Sequence, residues 1–397
     1  MSEDLRQHNK KTNWMLFIGI LLIGASLRAP ITSVGIALPS IKESLDLSNT
    51  TVSVITILPL LSFAVVSLFA AKISHRFGLE RTVFGALILI FLGIVLRAIT
   101  GVSWLYIGTL LIGVGIAFGN VLTPGIIKMN FPLSIGIRTG YYTVTMNIFG
   151  SVSSYVTAPL VKSFNYNFAI SLIGVVTLLG IIIWSFQLKK HEKISTQQNN
   201  ANINVWKSPL SWQITLLMGG QSLIFYSLIN WLPEFLLSNG ISINAAGIYL
   251  SILQLAIIPL TFITPIFAEK MKSQFLITFI TGLLFVLGIL SLMIKPEWAI
   301  IGIVLLGIAS GLAFGLVNTF FGLRTEHGYT AAKLSGMSQA VGYLFAAIGP
   351  LFFGILHDAT GSWNTSFGVL LFTALLIMFF GSQAGRNRTI EQTLQTK

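Results

Sequence analysis

Long apolar stretches separated by short polar segments recur along the whole chain. Each stretch has about 20 residues, the length at which an α-helix crosses a hydrocarbon core of roughly 30 Å. The pattern predicts twelve membrane-spanning helices, numbered span 1 to span 12, at 14–39, 50–72, 79–99, 103–127, 139–162, 166–187, 210–233, 244–268, 274–294, 298–322, 335–356 and 364–383. The connecting segments leave little room for any further domain.

The most polar segment between two spans lies at the middle of the chain. It is rich in Asn, Gln and Lys and cannot bury a hydrophobic core, so we interpret 188–209 as a flexible linker. The linker divides the chain into an N-terminal six-helix bundle, 1–187, and a C-terminal six-helix bundle, 210–397.

The two halves resemble each other in sequence. At an offset of 196 residues, six positions of span 4 recur in span 10: Gly115, Ala117, Phe118, Gly119, Val121 and Thr123 match Gly311, Ala313, Phe314, Gly315, Val317 and Thr319. Pro39 and Pro233, each preceded by Leu, are expected to close spans 1 and 7. Repeated halves are typical of secondary transporters. We expect an all-α integral membrane protein whose two bundles are related by a pseudo-twofold axis along the membrane normal.

The composition excludes an ordinary soluble fold. Of 397 residues, 54% are hydrophobic and 9% are charged, and the mean hydropathy is +0.83, whereas soluble domains carry roughly 25% charged residues. The absence of cysteine excludes disulfides, thiol catalysis and cysteine metal sites. The five histidines show no metal-ligand spacing and no nucleophile–base motif occurs, so we expect neither metal nor cofactor nor enzymatic activity.

The net charge of +12 is explained by the orientation of the chain in the membrane. Most of the 24 Lys and Arg residues fall on the side of the N-terminus, and only Lys42, Lys162 and Lys295 fall between spans on the other side. By the positive-inside rule both termini are cytoplasmic, in a multi-pass protein of the inner or plasma membrane. The expected partners are a small solute, membrane lipid and, for ion-coupled transport, a proton or another ion. We expect a monomer and no nucleic acid.

The segment between spans 2 and 3, AAKISHRFGLERT (70–82), resembles the cytoplasmic signature loop of the major facilitator superfamily. Arg76, Gly78 and Arg81 match that pattern, while Ala71 replaces a Gly and His75 replaces an Asp. The resemblance implies a major facilitator fold in which this loop takes part in conformational change. A histidine at the Asp position would remove the usual latch or make it pH-sensitive.

Further segments resemble the cyanate and nitroimidazole transporter branch of that superfamily. They cover both halves of the chain: LRAPITSVG (27–35), GTLLIGVGIAFGNVLTPGIIK (108–128), MGGQSLIFYSLINWLP (218–233), LSILQLAIIP (250–259) and GYLFAAIGPLFFGILHDATGSW (342–363). The resemblance implies secondary active transport, by alternating access, of a small anionic or electron-rich solute.

Arg28 is the leading candidate for a solute contact. It lies near the middle of span 1, where a charge costs about 2.5–3.5 kcal/mol. No Asp or Glu lies at the centre of any span, so an anionic solute would supply the missing partner. The alternative is that Arg28 binds carbonyl groups and holds helices together. Arg97, near the end of span 3, is expected to extend towards the membrane interface.

Uncharged polar residues within the spans complete the predicted solute site. Each is as compatible with an interhelical hydrogen bond as with a solute contact. With Arg28 they are Asn120, Asn147, Gln221, Tyr226, Gln254 and Asn318.

Other functions remain open at this point. The 29 phenylalanines permit a multidrug exporter of the same superfamily. Such exporters usually carry an Arg where this chain has Thr109, and a Pro after the glycine that corresponds to Gly150. A membrane sensor or a membrane-embedded enzyme would need an output domain or a catalytic cluster, and the sequence contains neither.

Overall fold

Twelve long helices dominate the part of the chain that the computed structural model describes, residues 14–47, 49–188, 203–294 and 298–395. They are α1 Trp14–Ser44, α2 Asn49–Phe77, α3 Leu79–Arg97, α4 Val102–Asn130, α5 Ile135–Ser163, α6 Tyr166–Ser185, α7 Pro209–Ser238, α8 Ile243–Lys270, α9 Phe275–Ile294, α10 Ala299–Leu323, α11 Gly328–Thr360 and α12 Trp363–Ala384. A short helix, α13, follows at Ile390–Gln395. The prediction of a twelve-helix membrane protein is confirmed.

Ten of the twelve helices are long and apolar enough to cross a membrane, judged on the residues described above. The other two, α5 and α7, are long enough but more polar. Both carry predicted site residues, Asn147 on α5 and Gln221 and Tyr226 on α7. Polar side chains in a spanning helix must face protein or water rather than lipid, so the polarity of α5 and α7 indicates that they line an interior space.

Several helices are longer than the apolar stretches that predicted them. The expectation that prolines close spans 1 and 7 is wrong, because α1 continues past Pro39 to Ser44 and α7 continues past Pro233 to Ser238. Helix α11 begins at Gly328, seven residues before the predicted start at 335. The length of an apolar stretch reflects only the thickness of the hydrocarbon core. These helices extend beyond their apolar stretches.

The two halves have separate hydrophobic cores. One cluster of buried side chains is drawn entirely from residues between Val205 and Ile390. A second cluster comes from residues 16–184, with Ala332 as its one contribution from the other half. Each half is therefore a bundle with its own core, as the repeated sequence predicts. The predicted linker, 188–209, lies largely outside the described residues; its last part, 203–208, leads into α7.

Helix packing repeats between the bundles. In the first, a Cβ atom on Gly93 of α3 would lie 2.6 Å from the carbonyl oxygen of Gly108 on α4. In the second, a Cβ atom on Gly288 of α9 would lie 3.0 Å from the carbonyl oxygen of Gly302 on α10. These contacts recur at offsets of 195 and 194 residues. The residue matches between spans 4 and 10 have an offset of 196 residues. The offset of the sequence repeat therefore differs by one or two residues from the offsets of the packing contacts.

The bundles are closed against each other near the face on which α1 begins and α12 ends, which we call the termini face. There α2 packs against α11, α5 against α8 and α4 against α11. The helices approach through glycine: a Cβ on Gly336 of α11 would lie 2.6 Å from Ser67 O on α2, and one on Gly140 of α5 would lie 2.8 Å from Phe262 O on α8.

Candidate functional site

Two adjoining cavities lie between the bundles and share the residues at their junction. The larger has a volume of about 270 Å³ and the smaller about 60 Å³. Arg28 of α1 and Tyr226 of α7 line both, so the two cavities meet at a cation and a phenol contributed by different bundles. This is the position at which transporters with repeated halves hold their solute.

All seven residues of the predicted solute site line this pair of cavities. The larger cavity contains Arg28, Asn120, Tyr226, Gln254 and Asn318. The smaller contains Arg28, Asn147, Gln221 and Tyr226. They come from α1, α4, α5, α7, α8 and α10. The fold thus brings together residues that lie up to 290 positions apart (Arg28 and Asn318).

Arg28 is half-buried and is unpaired within the described residues. It makes no hydrogen bond or ion pair with a protein group there, and no Asp or Glu lines either cavity. Glycine makes room for its side chain: a Cβ on Gly150 of α5 would lie 2.7 Å from Arg28 Cγ. Thr32, one turn further along α1, donates to Gly150 O (2.9 Å) and fixes α1 against α5 at this level. A guanidinium whose five donors bind no protein group is chemically suited to an anion or an oxygen-rich group.

The uncharged site residues fall into two groups according to their hydrogen bonds. In the first, the amide NH₂ is already engaged: Gln221 donates to Ser222 Oγ (2.8 Å) and Asn318 donates to Phe314 O (2.9 Å). In the second are Asn120, Tyr226 and Gln254, whose side chains form no hydrogen bond within the described residues. The donors that remain without a protein partner in the cavities are therefore those of Arg28 and of this second group.

Asn147 belongs to the first group and also joins the bundles. Its Nδ2 donates to Thr143 O (3.1 Å) and to Thr261 Oγ1 on α8 (3.2 Å). Thr143 Oγ1 in turn donates to Thr261 O (2.9 Å). The two bonds to Thr261 cross from α5 to α8 beside the smaller cavity, so a solute bound there would lie against this contact between the bundles.

Sequence reasoning missed several residues of the site. Tyr343 lines both cavities, and its ring lies 4.9 Å from that of Phe63 across the bundle interface. Gln339 lines the larger cavity and donates to Ser335 Oγ (2.8 Å). Tyr343 could have been found, because it is a polar aromatic residue near the middle of a predicted span, as Tyr226 is. Gln339 lay too close to the predicted start of span 11.

The expectation for Arg97 is wrong. Its side chain does not extend to the interface but is buried, with 3% of its surface exposed. Its Nε donates to Thr109 Oγ1 (2.9 Å) and a terminal nitrogen donates to Pro30 O (3.0 Å). Gly108 leaves space for it, since a Cβ there would lie 2.9 Å from Arg97 Cγ. Arg97 thus holds α3 against α4 and α1. This is the structural role that was considered as the alternative for Arg28.

The residues of the signature loop lie at the termini face. Gly78 separates α2 from α3 with a positive φ of 90°, a conformation that favours glycine. The His75 ring packs 4.8 Å from the Tyr329 ring of α11, across the bundle interface. Arg76 lies over the ring of Phe77 (5.5 Å), Ala71 is buried and Arg81 is exposed.

Gly150→Ala is expected to reduce transport by displacing Arg28. The added methyl would overlap Arg28 Cγ, and overpacking of this kind costs roughly 1–3 kcal/mol. Gly35→Ala on α1 is the matched control, because nothing lies within 4 Å of its Cβ position. Initial uptake rates in proteoliposomes test this: we expect a roughly tenfold loss for Gly150→Ala and no loss for Gly35→Ala. Equal rates for the two variants would show that Arg28 need not occupy its present position.

Comparison with known proteins places the chain among membrane transporters. A family profile described as Major Facilitator Superfamily matches residues 16–347. The chain is 41% identical to the uncharacterized transporter YycB of Bacillus subtilis (strain 168), with 97% of each chain covered. It is 38% identical to the 2-nitroimidazole transporter of Escherichia coli (strain K12), covering 96% of this chain and 98% of that protein.

Two more distant similarities agree with this placement. The cyanate transport protein CynX of Escherichia coli (strain K12) is 23% identical, covering 91% of this chain and 96% of its own. Among solved structures, the proton:xylose symporter XylE bound to 6-bromo-6-deoxy-D-glucose superposes with a TM-score of 0.77. That match covers 96% of this chain and 98% of XylE at 12% identity, so it is a similarity of fold.

Proposed function

The chain belongs to the Major Facilitator Superfamily, and as one of its membrane transporters we propose that it carries a small anionic or electron-rich solute by alternating access. Cyanate-like and nitro-compound-like molecules are the solutes that fit this description. The protein is a multi-pass membrane protein and not an enzyme. Its transport is secondary and needs no cofactor.

The observation that carries the proposal is the unpaired Arg28 guanidinium in the cavity between the bundles. A cation inside a membrane protein is costly, and among the residues that the structure describes no carboxylate of the cavity walls offsets that cost. An anion or a nitro group offers planar oxygen acceptors that match the geometry of a guanidinium. Asn120, Tyr226 and Gln254 add unengaged donors to the same space.

The size and lining of the cavity favour a small solute over a multidrug substrate. The two adjoining cavities have volumes of about 270 and 60 Å³, which together lie at the low end of drug-sized sites, which run from roughly 300 to 1,000 Å³. Phe63, Phe225 and Phe314 give the walls flat apolar surfaces beside the donors. The names of two relatives, a 2-nitroimidazole transporter and a cyanate transport protein, agree with a compact, electron-rich solute.

The proposed setting follows from the charge distribution. Basic residues concentrate on the termini face, which we assign to the cytoplasm in a cell membrane. Exposed apolar side chains such as Leu255, Leu351 and Phe372 provide a surface for lipid. The working unit is a monomer, since one chain supplies both walls of the cavity.

A thermal-shift screen of the purified protein tests the proposed substrate class. The panel contains cyanate, nitrate, small carboxylates and nitroimidazoles, with uncharged sugars as the comparison class. We expect at least one member of the panel to raise the melting temperature and then to be taken up by proteoliposomes. Stabilisation by sugars alone would contradict the proposed chemistry and leave only the family assignment.

Transport is expected to be proton-independent, or electroneutral with an anion. The reason is that, in the described part of the chain, no carboxylate lines either cavity, so these walls hold no acid that could carry a proton with the solute. Uptake measured with pH gradient and membrane potential clamped separately tests this. Potential-driven uptake of a neutral solute, abolished both by a protonophore and by substitution of a single Asp or Glu, would contradict it.

A further inference from the structure

A third cavity, apart from the proposed solute site, lies at the termini face between the two bundles. Its volume is about 380 Å³. One wall is α2, with Ser67, Ala71 and Lys72; the opposite wall is α11, with Tyr329 and Lys333. The segment 203–206, which leads into α7, forms the third wall. None of the proposed solute contacts lines this space, so it is a separate site.

The walls carry positive charge without an acidic partner. Lys72 and Lys333 face the space from different bundles, and no Asp or Glu lines the cavity as far as the structure describes it. Lys333 is half-buried: its Nζ donates to Ile203 O (3.4 Å) and lies 4.7 Å from the centre of the Tyr329 ring. Neither lysine takes part in an ion pair within the described residues.

The two ammonium groups are the donors that these walls offer to an anionic oxygen ligand. Ser67, in the same wall, is buried and its Oγ is closed off from the space, so it is not a contact of the proposed ligand.

We propose that this cavity binds a phosphate-bearing anion, which holds the bundles together at the termini face. Lysines bind phosphate as point charges from several directions, and basic pockets between helices at a membrane surface accept phospholipid headgroups. Because Lys72 and Lys333 belong to different bundles, the ligand bridges them only while this face is closed. Such a ligand therefore favours the closed state without occupying the solute site.

Melting temperatures of purified protein test the proposal with two probes that separate the sources of phosphate. One is sn-glycerol 3-phosphate in detergent; the other is phosphatidylglycerol in nanodiscs, compared with phosphatidylcholine nanodiscs. The variants are Lys72→Gln, Lys333→Gln and their combination. Lys207→Gln is the matched control, since Lys207 is exposed next to the third wall but does not line the cavity.

We expect one probe to raise the melting temperature of the unchanged protein and of Lys207→Gln by several degrees. The single lysine variants should lose part of that gain and the double variant all of it. A gain from glycerol phosphate identifies a soluble ligand, and a gain from phosphatidylglycerol alone identifies a lipid headgroup. No gain from either probe, or the same gain in the double variant, would overturn the proposal. Neither result depends on which solute the protein transports.

Discussion

Gly336→Leu is expected to abolish transport by preventing closure of the termini face. Gly336 of α11 has no side chain to separate it from the backbone of α2, where Ser67 O lies 2.6 Å from its Cβ position. A backbone carbonyl in a helix cannot rotate aside as a side chain can, so a leucine would push the bundles apart. Overpacking typically costs roughly 1–3 kcal/mol. Here only the free energy of the closed state is raised. Each 1.4 kcal/mol therefore lowers the ratio of closed to open protein by about tenfold.

The chain offers a clean reporter for this shift because it contains no cysteine. Ala332 is fully buried in the bundle interface, with its Cβ 3.3 Å from the Cβ position of Gly125 on α4. The thiol introduced by Ala332→Cys should react slowly with a maleimide in the otherwise unchanged protein and rapidly when combined with Gly336→Leu.

Gly368→Leu provides the matched control for Gly336→Leu. It makes the same change on α12, where nothing lies within 4 Å of the Cβ position. Transport and thiol reactivity should both stay unchanged in this variant. Normal transport by Gly336→Leu would contradict the expectation that transport requires α2 and α11 to close against each other.

Arg28→Ala and Arg28→Lys are both expected to lose transport while the protein still inserts and folds. A charge-assisted hydrogen bond contributes about 1.5–3 kcal/mol, so loss of the solute contact should reduce transport roughly 10- to 100-fold. Lysine keeps the charge but not the planar pair of donors, so it should rescue little. Since Arg28 has no protein partner among the described residues, its removal leaves no protein acceptor unpaired.

The structural alternative for Arg28 predicts the opposite order of effects. If Arg28 held helices together, both variants would lose detergent stability before losing solute affinity. Melting temperature and uptake measured on the same preparations distinguish the two. A folded Arg28→Ala protein that transports at the normal rate would remove Arg28 from the solute site.

The fold was predictable because a membrane-spanning helix can be recognised in the sequence by its length and its apolar composition. Twelve apolar stretches, a polar segment at the middle and a repeated glycine pattern were sufficient to predict two bundles. What these signals could not give was where each helix ends. Helix α11 starts at Gly328, before the apolar stretch begins, so Gln339 lies well inside the helix and lines the larger cavity.

The sequence predicted a set of residues that line the cavities, but not which of them already bind other protein groups. A lone charge within an apolar span is conspicuous, so Arg28 stood out. Arg97 was expected at the membrane interface because it lies near the end of span 3. The sequence does not show that it is buried, because its partners Thr109 and Pro30 belong to other helices. Likewise, Asn147 and Asn120 look equivalent in sequence. Only the position of Thr261 on α8 shows that the Asn147 amide is already engaged.

Equilibrium binding of a solute to Arg28→Lys is the most direct test of the account. The solute is the member of the panel that stabilises the unchanged protein, and Arg97→Lys is the matched control from the same bundle. We predict that Arg28→Lys keeps its melting temperature and binds at least about tenfold more weakly, whereas Arg97→Lys melts earlier and its folded fraction binds normally. Unchanged affinity in Arg28→Lys, or an equal loss of affinity in both variants, would contradict a solute site centred on Arg28.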